Sequence, residues 1–111
     1  MAIKTGNLGY GLPGRLPVEL ADALLVRPGL RIERIVSTGQ VTPDGEWNYQ
    51  SDDEFVILIR GAARLRIDGE HEDRDLAEGD WILLPAHCRH RVTWTQAEPP
   101  TVWLAIHVSP G

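Results

Sequence analysis

Turn signals recur about every ten residues from Leu30 onward, and the short runs between them are rich in Val, Ile and Leu, which predicts strands. Leu30 to Ser37 sets Leu30, Ile32 and Ile35-Val36 against Arg31, Glu33 and Arg34, an imperfect period of two that predicts a strand with an irregularity. Thr42-Pro43-Asp44-Gly45 reads as a turn. Glu54 to Arg60 is apolar on both faces, as in a strand covered on both sides. Gly61 ends that run. Ala63, Leu65 and Ile67 then alternate with Arg64, Arg66 and Asp68, so the next strand has one wet face. Asp68-Gly69 is a hairpin signal. A short strand near Asp73 to Ala77, the turn Glu78-Gly79-Asp80, and strands over Trp81–Leu84, His90–Thr95 and Thr101–Val108 complete the series. The pattern predicts an all-β antiparallel barrel or sandwich, with no internal repeat to suggest another architecture.

The first 29 residues read differently. A Gly-rich arm runs to Leu16, and Val18 to Leu25 (VELADALL) has the composition of one short helix, begun by Pro17 and ended by Pro28-Gly29. A chain of 111 residues fits one domain: arm and helix over 1–29, barrel over 30–109. So small a barrel is expected to cover an apolar sheet face by forming a homodimer. The formal charge of −5, with Arg residues scattered along the strands, argues against nucleic-acid or anionic-membrane partners. The longest apolar runs are far shorter than the ~20 residues of a membrane span. Gly and Pro break the N-terminus before a signal-like stretch develops, so a cytoplasmic location is expected. Cys88, the single cysteine, excludes an intramolecular disulfide; its place between His87 and Arg89 invites a nucleophile reading, but no defined base–orienter arrangement supports it.

Two segments resemble the paired motifs of the cupin superfamily. The second motif is Gly, five residues, Pro, one residue, Gly, two residues, His, three residues, Asn. Here Gly79, Pro85 and His90 match, while His87 replaces the middle Gly and Trp94 the Asn. In the first motif the Glu-to-Gly half is present as Glu54 and Gly61. The preceding His-x-His is absent: depending on the spacer its positions hold Trp47 and Tyr49, or Asn48 and Gln50. The resemblance spans roughly Ile32 to Val108 and implies a cupin, RmlC-like jelly-roll barrel whose motif strands project side chains into one mouth.

What the resemblance implies about chemistry follows. Glu54 and His90 would be the catalytic pair, and alternation from His90 puts Val92 and Trp94 on its face. Glu54 shares a face with Val56 and Leu58, so its carboxylate enters an apolar interior and needs a partner. A divalent metal (Fe, Mn, Ni or Zn) would take Glu54, His90 and a third ligand from His107 or His87, with Gln50 as an oxygen alternative. Gln50, Tyr49, Trp47, Trp94 and Trp103 would wall a pocket for a small organic molecule. The implied activity is an oxygenase, lyase or isomerase step. The alternative is a non-catalytic binding or regulatory cupin, with Glu54 and His90 paired in a metal-free pocket.

Overall fold

The computed structural model describes residues 2–110. Eight strands follow in order: β1 (Leu20–Arg27), β2 (Leu30–Ser37), β3 (Asp53–Arg60), β4 (Ala62–Ile67), β5 (Arg74–Ala77), β6 (Trp81–Leu84), β7 (His90–Thr95) and β8 (Thr101–Val108). They form a five-stranded sheet in the order β1-β2-β8-β3-β6 and a three-stranded sheet in the order β5-β4-β7, every pair antiparallel. The two sheets close on each other as a jelly roll. Leu58, Ala63, Leu65, Leu76, Val56 and Trp103 fill the space between them.

The expected helix is a strand. VELADALL has good local helix propensity, but propensity is a weak prior that tertiary pairing overrides. Here β1 pairs with β2 from Leu20↔Val36 to Arg27↔Leu30. Pro28-Gly29, read from sequence as a helix stop, is the hairpin turn itself: Pro presets φ at the first central position and Gly29 takes φ of 74° at the second. The stretch set apart as arm and helix therefore contains a strand of the larger sheet. The arm before it is pinned by Arg34, whose guanidinium donates to the carbonyls of Leu8 (3.2 Å) and Tyr10 (2.8 Å) and pairs with Asp22 at 2.7 Å.

Register gives the interior a depth gradient. On the inner face of the large sheet, Trp103 stands beside Ile35 and Leu58, Ala105 beside Glu33 and Val56, and His107 beside Arg31 and Glu54. One end of the barrel is thus apolar and the other carries carboxylates and imidazole. The motif glycine at 61 has φ of 93°, and a Cβ there would meet Thr101 Oγ1 at 2.7 Å and its Cα at 2.9 Å. Only glycine lets β3 turn into β4 against that backbone.

A bulge in β7 changes one expectation. Leu65 pairs with Val92 but Arg64 pairs with Trp94, leaving Thr93 as an extra residue. One inserted residue reverses alternation beyond it. His90 and Val92 face inward as read from the sequence, whereas Trp94 turns outward, is 41% exposed, and lies under the Arg64 guanidinium at 5.4 Å.

Candidate functional site

The polar end of the barrel opens into a cavity of about 420 Å³. Trp103, Leu65, Val56 and Leu84 line its apolar part, and Trp47, Asn48, Tyr49 and Gln50 its approach. Into it point the carboxylates of Glu19, Glu33 and Glu54 and the imidazoles of His90 and His107.

His90 sits at the start of β7, where its backbone bridges Asn48 in both directions (2.7 and 2.9 Å). Its Nδ1 lies 3.0 Å from the Cys88 carbonyl oxygen. A carbonyl only accepts, so Nδ1 carries the hydrogen and, whenever the ring is neutral, Nε2 is a bare lone pair. That Nε2 is 3.7 Å from Glu54 Oε1, too far for a hydrogen bond, and the two side chains are 8% and 13% exposed. Glu54 Oε1 accepts instead from Gln50 Nε2 at 3.0 Å. The segment carrying Gln50 and Glu54 is tied to the β6–β7 turn, since His87 N–H donates to the Gln50 carbonyl (2.7 Å) and Ala86 N–H to Asp53 (2.8 Å).

A second pair stands beside the first. His107, cross-strand neighbour of Glu54, lies with Nε2 3.1 Å from Glu33 Oε1, and Arg31 Nε is 3.7 Å from the other oxygen of Glu33. A carboxylate accepts, so Nε2 is the donor here. Glu19 completes the acidic lining. Partial loss of water raises its carboxyl above the ordinary value although the residue as a whole stays exposed; the Ser37 hydroxyl donating at 3.4 Å offsets part of this, and Glu33 and Glu54 push it further up. Ser37 in turn accepts from Trp103 Nε1 at 3.2 Å.

Of the residues singled out in the sequence, Glu54, His90, His107, Gln50, Tyr49, Trp47 and Trp103 all line this cavity. Tyr49 is a rim residue, 64% exposed. Trp94 is outside it, as described above. His87 is exposed and does not line it either; it occupies the motif's glycine position with φ of 67°, the sole non-glycine among the described residues in the left-handed region. Cys88 is no activated nucleophile: burial raises its thiol, and Glu70 and Asp68 add to the effect. Glu19 and Glu33 were not foreseen. Glu33 shares its face with Ile35, a signal masked because the Ile35-Val36 step blurs the alternation of β2.

The donor set does not fit a metal ion as it stands. Among the described residues no three His, Cys, Asp or Glu side chains converge on one point. His107 is committed to Glu33, and the positions of the absent His-x-His carry Trp47, Asn48, Tyr49 and Gln50. No Lys or Arg lines the cavity. The guanidinium groups of Arg89 and Arg91 lie over the Trp47 ring at 5.3 and 5.9 Å without entering the lining.

Comparison with known proteins bears on these features. A Paraburkholderia phytofirmans protein named 3-hydroxyanthranilate 3,4-dioxygenase is 46% identical, over 75% of this chain and 54% of its own length. A Burkholderia lata protein of the same name is 46% identical over 43% of this chain and 30% of its own. The chain spans about half the length, or less, of these curated relatives. A crystal structure from Ralstonia eutropha, of a protein provisionally named a mannose-6-phosphate isomerase, superposes with a TM-score of 0.95 at 45% identity, covering 97% of this chain and all of that one. An RmlC-like cupin from Methanocaldococcus jannaschii shares the fold at 15% identity, with a TM-score of 0.72 over 98% of this chain and 93% of that one. The family model described as the cupin domain matches residues 35–107, from within β2 to within β8, and the chain therefore belongs to the cupin family.

Proposed function

We propose that the cavity binds a small organic molecule and moves protons within it, as an isomerase or lyase of the acid–base kind. The observation that supports this most directly is the bare Nε2 of His90, held by the Cys88 carbonyl in the tautomer that a general base requires. When His90 takes a proton from the ligand, Glu54 at 3.7 Å stabilises the imidazolium, and Gln50 keeps that carboxylate oriented. His107, with Nε2–H directed at Glu33, supplies a second acid–base pair for returning a proton elsewhere on the same ligand. The apolar end around Trp103 and Leu65 excludes water from one side of the reacting centre. The full-length match to a protein provisionally named an isomerase favours this reading.

Solvent-deuterium exchange followed by proton NMR tests it. Small neutral, amino and phosphorylated hydroxy-carbonyl compounds are incubated with the protein in D₂O, and the expected outcome is label at a carbon beside a carbonyl. Glu54→Gln is expected to slow that exchange by about 10²-fold or more. Wild-type protein that exchanges nothing would leave a binding or regulatory cupin as the function.

A metal-dependent reading draws on the relatives named dioxygenase. It requires His107 to leave Glu33 and join Glu54 and His90. Stoichiometric Fe, Mn, Ni or Zn in elemental analysis of natively purified protein would favour it over the metal-free pair.

A further inference from the structure

The polar end of the cavity offers acceptors without donors. His90 is more than nine-tenths buried, and its Nε2 makes no hydrogen bond within the protein, while Nδ1 is engaged with the Cys88 carbonyl. Glu54 Oε1, 3.7 Å away, is also an acceptor and takes only the Gln50 amide; Glu54 Oε2 receives no protein donor. A neutral imidazole nitrogen and a carboxylate oxygen at that spacing repel unless something that donates to both stands between them. Glu33 and Glu19 add two further carboxylates to the same lining, which holds no Lys or Arg; Arg31 reaches Glu33 from outside it at 3.7 Å, with its own side chain half exposed. Within the lining, three carboxylates stand against two imidazoles, and the one guanidinium near them, that of Arg31, is half exposed to screening solvent.

From these contacts we infer that the cavity selects an organic cation, a small primary amine in its ammonium form, and rejects ligands bearing a carboxylate or phosphate. The inference rests on the proposal that the cavity is the ligand site. The ammonium group would donate to Glu54, whose Oε2 takes no protein donor, leaving His90 Nε2 for the ligand's acidic hydrogen, while Glu33 and Glu19 set the field that favours positive charge. Trp47 and Trp103 present indole surface to the ligand's carbon body, and an indole face also attracts a cation. Neither relative's name predicts this class: hydroxyanthranilate carries a carboxylate and mannose 6-phosphate a phosphate, and nothing cationic lines this cavity to receive either.

The test is calorimetric titration of the whole chain, just above neutral pH, with three probes of one shape: benzylamine, benzyl alcohol and benzoate. Benzylammonium is expected to bind at least about tenfold tighter than the alcohol and benzoate weakest of the three, with the ammonium's advantage shrinking as NaCl rises from about 0.05 to about 0.5 M. Glu33→Gln, which need not disturb the His90 contact, is expected to narrow the ammonium-to-alcohol ratio by about threefold or more. If benzoate or the alcohol binds as tightly as benzylammonium, the charge class is overturned while the cavity remains a ligand site. If Zn²⁺ binds stoichiometrically and benzylammonium cannot compete with it, the cation is a metal and the inference is overturned. If none of the probes binds, both the inference and the ligand-site proposal fail.

Discussion

The two imidazole–carboxylate pairs share one cavity and differ in what holds each ring. His107 gives its Nε2–H to Glu33 at 3.1 Å, so imidazole and carboxylate satisfy each other. His90 gives its Nδ1–H to a backbone carbonyl and stands 3.7 Å from Glu54, so neither of those two groups is consumed by the other. The difference shows how an anchor decides availability. A ring fixed by the main chain keeps its second nitrogen and the neighbouring carboxylate for a ligand, whereas a ring fixed by a carboxylate must break that contact before its nitrogen can serve one.

The largest effect that can break this comparison is kinetic. His90→Ala is expected to lower deuterium exchange by about 10²- to 10⁴-fold, and His107→Ala by about tenfold, both measured by NMR on the same compound. Equal losses would mean that the two pairs are interchangeable. Stability sharpens the contrast next. Glu33→Gln removes the anionic acceptor of a charge-assisted hydrogen bond and is expected to cost about 1–2 kcal/mol in denaturant unfolding. Glu54→Gln should change stability by less than about 0.5 kcal/mol, since the new amide oxygen can still accept from Gln50, the 3.7 Å pair with His90 is not a hydrogen bond, and removing one of three mutually repelling carboxylates offsets the weaker contact.

The smallest effect concerns Glu19. Desolvation raises its folded carboxyl above the unfolded value, so the fold holds that proton more tightly than the unfolded chain does. Its contribution is therefore fully favourable in acid and is lost as pH rises from the ordinary carboxylate range through the raised value. Glu19→Gln is accordingly expected to raise Tm by about 1–2 °C at neutral pH and to leave it unchanged near pH 4, the gain being limited because the carboxylate is partly solvated. Thermal unfolding at the two pH values checks this.

How far the sequence reveals these features depends on whether local pattern or distant pairing decides them. Strands β2 to β8 are legible because each is a short run bounded by its own turn residues, and Glu54, Gly61, Gly79, Pro85 and His90 stand at motif spacing. Strand β1 is not, because VELADALL favours a helix locally and only its pairing with β2 makes it extended. Pro28-Gly29 serves equally as a helix stop or a hairpin turn, and the local residues do not distinguish the two. Glu33 and Glu19 were hidden for a related reason. Glu33 lies in an irregular strand and Glu19 just before β1, in the stretch that favours a helix locally, so each reads as solvated until tertiary pairing brings it to His107 or Ser37. Strict alternation puts Trp94 inward, because it cannot foresee an extra residue at Thr93.

That extra residue has a consequence for how the protein can change. With Thr93 inserted, the indole of Trp94 is parked outside and the small side chain of Thr95 takes the next inward place, buried beside Ala63; without it, Trp94 would turn inward at that place and bring an indole into the barrel. Capacity in this barrel is thus governed by a count of residues along one strand. A single deletion in that strand would change how the barrel interior is filled while every acid and base inside kept its identity.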